Sequence, residues 1–569
     1  VIYNVVQDPD EEDLIETGKE IAKSYEIKGE NIYNKYENVI IRLSKAYSKF
    51  INKKKNENDK NQYFHGSRDF YSLIKSVVKD IIINEKQLIE SDLEQKNNLL
   101  TKICIKQIIR NFGGLENSVN DFKQYFFEAN ENIFYGNDLE INYNIMECLK
   151  DNINDVNSRY LLLITESVIS QELLNYILED ICISENNQKE KEKEINIKYY
   201  FGSIFKSDKH NISYSNEILS KIKYEMETSN ILVLKDLESV YPALYELFNQ
   251  SYTYLDGKKF VHLGESQSLA LVNDNFKVIV LVNKKQIEEQ EPPFLNRFEK
   301  HIINYTNLLS TDLLKLSEEI YFKLNEINLC VNEFIDIESK NIPIKNTKAK
   351  LEKFINFINE EEIKGLVYIA SIKLKKEKKD LENINNLITK FVLSELAPFF
   401  SEELMILITK YGWKNKEPMF YDIIYQIYKE NYCYNLKYYL ENLEKDISII
   451  YTYSSILEEN KYFEYGIKNK KTNIIFLNKN IKEINISDIT AKEQIEKEII
   501  DFIFDDLDIN NTKPKNLLIF KFREEDLNKL SNICYLLNDY KNSFTEKKIE
   551  NKKKFVLFII YLKKDEKIR

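Results

Sequence analysis

Two acidic side chains, Asp236 and Glu238, follow a predicted strand over 231–235 whose first four residues are apolar. Acids at the carboxyl end of a buried strand are where nucleoside triphosphatases hold magnesium and polarise the attacking water. A structural role is the alternative, because Asp236 or Ser239 could cap a helix over 240–249. The spacing therefore offers one candidate for metal-assisted phosphoryl chemistry, with helix capping as the competing interpretation.

A second candidate is Arg297, which lies in the run PPFLNRFEKH that begins at residue 292. A proline turn after a sheet strand can project this guanidinium from the edge of a domain. There it could reach the γ-phosphate of a nucleotide bound by a neighbouring unit and stabilise the charge of the transition state. The alternative is a surface arginine that pairs with Glu299 or with another carboxylate.

A third candidate is Arg68, in the run HGSRDFYSLIK that opens a predicted helix. Ser67 is the expected cap, so Arg68 would point from the first helical turn. An arginine in that place can touch a nucleotide bound to its own unit. A salt bridge next to the cap is the structural alternative.

The phosphate-binding loop that would complete such a site is missing. It requires two glycines with four residues between them, followed directly by Lys and then Ser or Thr, because backbone amides cradle the phosphates and the lysine neutralises them. After the apolar run at 159–164 the chain reads TESVISQ, without Gly or Lys, and Glu166 would repel phosphate. The Gly-Lys pairs at 18–19 and 257–258 lie in a helical pattern and in a hairpin turn. We therefore expect no tight nucleotide binding by this part of the chain.

Charge and composition narrow the classes of function. The chain has 92 acidic and 81 basic side chains and a net charge of -11, which disfavours nucleic acid as a partner. Its six cysteines and four histidines show no spacing typical of a zinc site or a disulfide framework, so we assign no metal ligand. No apolar run approaches a membrane span and no signal peptide is visible, so we expect a cytoplasmic protein without a transmembrane segment.

The order of the predicted elements indicates an α/β fold with large helical parts. Apolar residues recur at helical spacing over 8–130. Short apolar runs then alternate with helical segments, which favours a mostly parallel sheet. The predicted strands of this first sheet are 159–164, 195–201, 231–235 and 276–282. An Asp-Gly pair at 256–257 between apolar runs predicts a hairpin over 252–261.

A helical region at about 305–445 precedes a second α/β pattern. Its predicted strands are 447–453, 473–477, 517–522 and 555–562, and its predicted helices lie near 490–505 and 525–538. We therefore expect four regions: helical 1–135, α/β 150–310, helical 311–445 and a partial α/β domain over 446–569.

Several phrases of the sequence occur in the order known from one family. They are DEEDLIETGKEIAKSY, GSRDFYSLIK, RNFGG, SRYLLLIT, FGSIF, ILVLKDLESVYPALYELFNQSYTYLDGKKF and PPFLNRFEKH. On these phrases, which span residue 8 to about 305, the chain resembles the mysterin family of giant AAA+ ubiquitin ligases with a RING finger. The region after 305 fits the family more weakly.

The resemblance implies a fused ring of six AAA units, each a mostly parallel sheet with a helical lid. Residues 1–135 would be the lid and tail of the fourth unit, 150–310 and 311–445 the degenerate domain and lid of the fifth, and 446–569 the start of the degenerate sixth. Arg297 would be an arginine finger for the fourth unit's ATP site and Arg68 that unit's lid arginine. Asp236 and Glu238 would form a degenerate acidic motif.

The resemblance also implies which functions lie elsewhere in the polypeptide. ATP and magnesium would be bound by the neighbouring AAA unit, and none tightly by the central one. Zinc, the RING finger, the ubiquitin-conjugating enzyme and the substrates would belong to a ligase module outside this chain, which we expect to be an internal piece of the parent protein. The whole protein would transfer ubiquitin and hydrolyse ATP, and this chain alone would do neither. The family also implies lipid-droplet association.

Two other classes of function remain open. One is a degenerate segment of a dynein-like fused-ring motor, which the lack of a long heptad run disfavours. The other is a structural interaction module whose helical regions are docking surfaces. Substitution of Arg297 would separate that module from a segment that serves a neighbouring ATP site.

Overall fold

The computed structural model divides the chain into two units. The first comprises residues 1–169, 177–202 and 213–308, and the second comprises 170–176, 203–212 and 309–569. The residues that the structure describes are 8–27, 30–56, 63–128, 144–165, 174, 176–178, 197–203, 205, 208, 211–228, 231–264, 268–339, 360–376, 384–396, 418–431, 440–441, 447–452, 467–468, 475–476, 481–504, 516–523, 526, 529–530, 533–534, 536–537 and 555–561.

The first unit begins with a group of helices, as the helical spacing over 8–130 predicts. These are α1 (Glu11–Lys23), α2 (Ile32–Asn56), α3 (Ser67–Ile83), α4 (Glu85–Glu90), α5 (Leu93–Phe112) and α6 (Ser118–Glu128), with a short antiparallel pair, β1 (Glu26–Ile27) and β2 (Glu30–Asn31), before α2. Their apolar faces form one buried core. Aromatic pairs organise it, with the rings of Tyr47 and Phe70 stacked at 4.8 Å between centroids.

A five-stranded sheet forms the rest of this unit's core. Its strands are β3 (Leu161–Thr165), β4 (Ile197–Phe201), β5 (Ile231–Lys235), β9 (Lys277–Asn283) and β10 (Glu299–Ile303), in the order β10-β3-β9-β5-β4. Every neighbouring pair is parallel, which confirms the predicted parallel α/β sheet. The sequence does not predict β10. Helices α7 (Ile145–Asn154) and α8 (Ile212–Met226) precede β3 and β5.

An antiparallel three-stranded sheet is inserted between β5 and β9. It consists of β6 (Thr253–Leu255), β7 (Lys258–Leu263) and β8 (Ser268–Val272). The predicted hairpin is confirmed, because Asp256 and Gly257 form its turn with φ of 49° and 74°. Positive φ at both central residues is the conformation that a two-residue hairpin turn requires.

The connection from β5 to this insertion differs from the prediction. The chain forms a 3-10 turn at Tyr241–Leu244 and one helical turn, α9 (Tyr245–Phe248), and neither has a side-chain cap. The expectation that Asp236 or Ser239 caps a helix over 240–249 was therefore wrong. Asp236 instead has a left-handed φ of 55°. A Cβ at Gly202 would lie 1.5 Å from the Asp236 carbonyl oxygen, so this close backbone approach requires glycine.

Three short or irregular elements complete the first unit, and all lie around β10. After β9 the chain forms a 3-10 segment, Lys284–Glu289, and then α10 (Pro292–Leu295). Helix α11 (Tyr305–Leu308) follows β10. The two prolines that begin α10 suit its first turn, where no backbone N–H donor is needed.

The second unit has helices followed by another parallel sheet. Its helices are α12 (Thr311–Ser339), α13 (Glu360–Lys376), α14 (Ile384–Leu396), α15 (Pro418–Asn431) and α16 (Lys492–Phe504). Its sheet joins β11 (Ile447–Thr452), β14 (Ile481–Asn485), β15 (Leu517–Arg523) and β16 (Phe555–Tyr561) in the order β11-β16-β15-β14, with every pair parallel.

One predicted strand, 473–477, was wrongly assigned to this second sheet. Among the described residues, 475–476 (β13) pair with 467–468 (β12) in a separate antiparallel ladder, and β14 takes the place in the sheet. The predicted helix over 525–538 is described only in part. None of the helices that the structure describes combines the length and the apolar character that crossing a membrane requires.

Candidate functional site

The direction of the strands separates the candidate residues of the first unit. Because all five strands are parallel, their first residues lie at one edge of the sheet, here called the amino edge, and their last residues at the opposite, carboxyl edge. Arg297 precedes β10 and lies at the amino edge, whereas Asp236 follows β5 at the carboxyl edge. A five-residue strand is about 16 Å long. Arg297 and Asp236 therefore do not share one site.

Arg297 is partly exposed and is held by an aromatic ring. Its guanidinium carbon lies 3.9 Å from the centre of the Tyr245 ring. Its Nη1 donates a hydrogen bond to the carbonyl oxygen of Pro293, and its buried Nε has no hydrogen-bond partner among the described residues. Burial and, after it, the positive charge of Arg68 lower the pKa of Arg297. Such stacking suits a planar guanidinium.

The alternative interpretation, in which Arg297 pairs with Glu299, is wrong. Glu299 is buried in a bidentate ion pair with Arg110, at 3.0 Å and 2.8 Å. Glu291 is a nearby carboxylate, and its attraction is the weakest of the influences on the pKa of Arg297. Within the described ranges, Arg297 forms no ion pair with any carboxylate.

Arg68 is exposed at the start of α3, and its Nη1 donates a hydrogen bond to Asn249 Oδ1. The predicted cap was wrong, because α3 begins at Ser67 itself and Gly66 is the cap residue. Asp69 closes this end of the helix by accepting a hydrogen bond from the Gly66 N–H at 2.9 Å. Like Arg297, Arg68 has no ion pair with a carboxylate in the part of the chain that the structure describes.

Tyr245 and Asn249 bring the two arginines together. They are four residues apart, at the start of α9 and directly after it, and the Asn249 N–H donates to the Tyr245 carbonyl oxygen at 2.9 Å. Residues at this spacing lie on one helical face. Arg297 stacks on the first and Arg68 bonds to the second, so one short segment holds guanidinium groups from two distant parts of the chain. We call these four side chains the arginine site.

A buried ion cluster lies beside the arginine site. Asp69 accepts hydrogen bonds from Lys300 Nζ at 2.9 Å and from Arg159 Nη1 at 2.8 Å. The side chains of Asp69 and Lys300 are both fully buried. Burial acts to raise the pKa of Asp69, but Lys300 and Arg159 outweigh it and the pKa is lowered. Burial also lowers the pKa of Lys300, to about 8, against the attraction of Asp69.

A second buried cluster surrounds Glu299. Besides Arg110, it accepts a hydrogen bond from Asn152 Nδ2 at 2.8 Å, and His301 Nε2 lies 3.1 Å from its Oε1. Burial acts to raise the pKa of Glu299, but Arg110 and His301 lower it to about 2. The first cluster joins α3 to β10, and the second joins α5 to β10. Removing one partner of such a pair typically costs about 3–5 kcal/mol, so these contacts fix the N-terminal helices against the sheet.

The carboxyl edge has no comparable arrangement of charges in the described residues. Asp236 is half-buried, with its Oδ2 3.9 Å from Lys235 Nζ, and Glu238 is exposed. No group of three or more His, Cys, Asp or Glu side chains in the described residues could hold a metal ion. Residues 166–171, where the phosphate-binding loop is expected, lie outside the described residues.

The sequence interpretation missed the residues that hold the arginines. Tyr245 and Asn249 lie in the run YELFN, where their four-residue spacing was the only available signal. Asp69 and Lys300 were missed because fully buried charges are rare and their partnership depends on the tertiary fold.

Comparisons with known proteins agree with this architecture. The family model described as the RNF213 AAA domain matches residues 150–309, a range that contains all five strands of the parallel sheet and Arg297. The E3 ubiquitin-protein ligase rnf213-beta of Danio rerio is 28% identical over 324 residues, or 56% of this chain. The E3 ubiquitin-protein ligase RNF213 is 26% identical over 365 residues in Mus musculus and 26% identical over 366 residues in Homo sapiens, each 61% of this chain.

The aligned residues span only 6% of the length of each of these relatives. The similarity therefore concerns one part of very long polypeptides. Residues 150–309 match the RNF213 AAA domain, and the chain is an RNF213-like AAA segment, in agreement with its resemblance to mysterin.

Proposed function

We propose that this chain is a non-hydrolysing segment of the AAA core of an RNF213-like, ATP-dependent ubiquitin-protein ligase. Arg297 acts as an arginine finger, and Arg68 as a lid arginine, on ATP and magnesium bound by a neighbouring AAA unit. One observation carries the proposal: the two arginines meet at the amino edge without a carboxylate partner in the described residues.

The electrostatics favour an anionic ligand at the arginine site. Arg68 is close enough to Arg297 to lower its pKa, so the two like charges repel each other. A doubly or triply charged phosphate group would relieve that repulsion, and the planar guanidinium fork fits phosphate oxygens in a bidentate manner. An arginine that stabilises the charge of phosphoryl transfer typically accelerates turnover by about 10³-fold or more.

The location of the arginine site supports its assignment to a neighbouring unit's nucleotide. In parallel α/β sheets ligands bind outside the carboxyl ends of the strands, and Arg297 lies at the opposite edge. The central unit also lacks the glycines and the lysine of a phosphate-binding loop in its sequence TESVISQ. We therefore assign ATP and magnesium to an adjacent unit of the same polypeptide, and we interpret Asp236 and Glu238 as a degenerate acidic motif.

The two buried ion clusters support a scaffolding role. They tie α3 and α5 to β10, so the N-terminal helices and the AAA domain move as one body. In the proposed arrangement, residues 1–135 are the lid of the fourth AAA unit, 150–445 the fifth unit and 446–569 the start of the sixth. This body supports a ligase module elsewhere in the polypeptide.

That ligase module would carry the RING finger and its zinc, and would bind the ubiquitin-conjugating enzyme and the substrates. The relatives are named as E3 ubiquitin-protein ligases. We propose a cytoplasmic location with lipid-droplet association, and no nucleic acid partner.

The decisive experiment compares ATP turnover of the full-length protein with that of its Arg297→Ala variant. We expect kcat to fall by about 10³-fold or more, while Lys258→Ala, which removes an exposed cation at the start of β7, leaves it unchanged. Purified residues 1–569 should not hydrolyse ATP. Unchanged turnover in Arg297→Ala would refute the arginine finger and favour a purely structural interaction module.

A further inference from the structure

We infer that Tyr245 and Asn249 are positioning residues that hold Arg297 and Arg68 as a preorganised pair for one phosphate group. The inference rests on the proposed function, and it explains which residues hold the two arginines in place. It assigns a role to the short segment between β5 and the inserted hairpin sheet.

Each arginine has its own support on this segment. The Arg297 guanidinium carbon lies 3.9 Å from the centre of the Tyr245 ring, and Arg68 Nη1 donates to Asn249 Oδ1. Tyr245 and Asn249 are one helical turn apart, so the distance between their supporting groups is set by the backbone. The positions of both supporting groups are therefore set by α9 and the residue directly after it.

The supporting segment is itself anchored to the sheet. The ring of Phe248, which is 1% exposed, lies 4.9 Å from that of Phe298 and 6.2 Å from that of Phe294. These two aromatic residues flank Arg297 in the sequence. One residue after Asn249, Gln250 has a φ of 55° and donates from Nε2 to the Ser158 carbonyl oxygen at 2.8 Å.

A further hydrogen bond attaches this segment to the sheet. The hydroxyl groups of Tyr252 and Tyr160 lie 2.9 Å apart, and Tyr160 directly precedes β3. The segment that holds the arginines is thus bonded through side chains to the residues just before β3. Aromatic packing attaches it to the residues just before β10. Movement of α9 relative to the amino edge would break these contacts.

The arginines require such support because their intrinsic tendency is to separate. A free arginine side chain loses up to about 2 kcal/mol of rotamer entropy when it is fixed, and the like charge of Arg68 repels Arg297. The negative face of the Tyr245 ring and the amide oxygen of Asn249 offset that repulsion. A group that is already oriented when the phosphate arrives needs no reorganisation during the reaction.

The test measures kcat and KM for ATP in the full-length protein with substitutions at Tyr245. In Tyr245→Leu, kcat should fall by roughly threefold to thirtyfold, the range that a lost cation–π contact can supply, while KM changes little. Tyr245→Phe keeps the ring and should retain wild-type kcat. Tyr224→Leu is the matched control, because Tyr224 is 70% exposed on α8.

Asn249 is tested in the same assay. Asn249→Ala should raise KM, since Arg68 loses the hydrogen bond that places it on the bound nucleotide. The effect of Tyr245→Leu on kcat should vanish in an Arg297→Ala background, and that of Asn249→Ala on KM should vanish in Arg68→Ala. A residue that merely stabilised the fold would keep its effect in those backgrounds.

The outcomes distinguish the positioning role of Tyr245 and Asn249 from the proposed function of the arginines. If Arg297→Ala lowers kcat but Tyr245→Leu does not, the positioning role of Tyr245 is wrong and the arginine finger stands. The same conclusion follows if Tyr245→Leu lowers kcat by the same factor in the Arg297→Ala background as in the wild type. If Arg297→Ala leaves turnover unchanged, the proposed function itself is wrong. Thermal denaturation of each variant identifies any loss of turnover caused by unfolding.

Discussion

Acidification should unfold the first unit in a manner that depends on Glu299. Its pKa in the folded protein is about 2, against an ordinary value of 4.5, because Arg110 and His301 stabilise the carboxylate despite its burial. A group with a lowered folded-state pKa binds fewer protons when folded than when unfolded. Its contribution to stability is complete above pH 4.5 and is lost as the pH falls from 4.5 to 2.

The size of this contribution follows from the pKa difference. Since one pKa unit corresponds to 1.36 kcal/mol, the difference at Glu299 is worth about 3 kcal/mol. That is a large share of the roughly 5–15 kcal/mol that stabilises a typical domain. His65 causes a separate loss of stability, which begins at a higher pH. Burial lowers its pKa from 6.5 to about 3, so unfolding takes up a proton there as the pH falls below 6.5.

The assay is urea denaturation of the chain, followed by circular dichroism at 222 nm, at pH values between 7 and 2. Glu299→Gln should lower the free energy of unfolding at pH 7 by about 3 kcal/mol, because Arg110 is left buried without its charge partner. It should also reduce the dependence of stability on pH below 4.5, and the part that remains is due to groups such as His65 and Asp69. Glu227→Gln on the exposed surface is the matched control. A wild-type slope below pH 4.5 in Glu299→Gln would refute the assignment.

Two further predictions concern the carboxyl edge of the same sheet. Gly202→Ala should destabilise the chain by more than about 3 kcal/mol in thermal denaturation, because its Cβ would lie 1.5 Å from the Asp236 carbonyl oxygen. The control Gly257→Ala, at φ 74° with no atom within 4 Å, should cost only about 1 kcal/mol. Asp236→Asn combined with Glu238→Gln should leave ATP turnover of the full-length protein within about twofold of wild type, if these acids hold no magnesium. A loss comparable to that in Arg297→Ala would show that they do.

The elements that could be predicted are those whose sequence pattern has a local cause. Strands β3, β5 and β9 are continuous apolar runs because both faces of the parallel sheet are buried. The inserted hairpin follows from its Asp-Gly turn, since both residues adopt a positive φ. In these cases the residues that define the element are adjacent in the sequence.

Strand β10 could not be predicted in this way. It begins with Glu299, Lys300 and His301, which have the composition of a surface segment although all three are buried. Their burial is possible because Arg110 and Asp69 neutralise them, and those partners lie on helices at the other end of the unit's sequence. The same dependence on distant partners hid Tyr245 and Asn249, whose role arises from the position of Arg297 and Arg68.

The separation of the two edges explains how one AAA domain can lack a phosphate-binding loop and still serve ATP hydrolysis in the proposed arrangement. The carboxyl edge would serve the domain's own nucleotide, and the amino edge a neighbour's. Among the described residues, the contacts that fix Arg297 run through α9, α10 and Phe298, which directly precedes β10, and none involves Asp236 or Glu238. With about 16 Å of strand between the edges, side chains can change at the carboxyl edge without moving the arginine site. The carboxyl edge must keep the close backbone approach of Gly202 to Asp236, because these residues directly follow the paired strands β4 and β5.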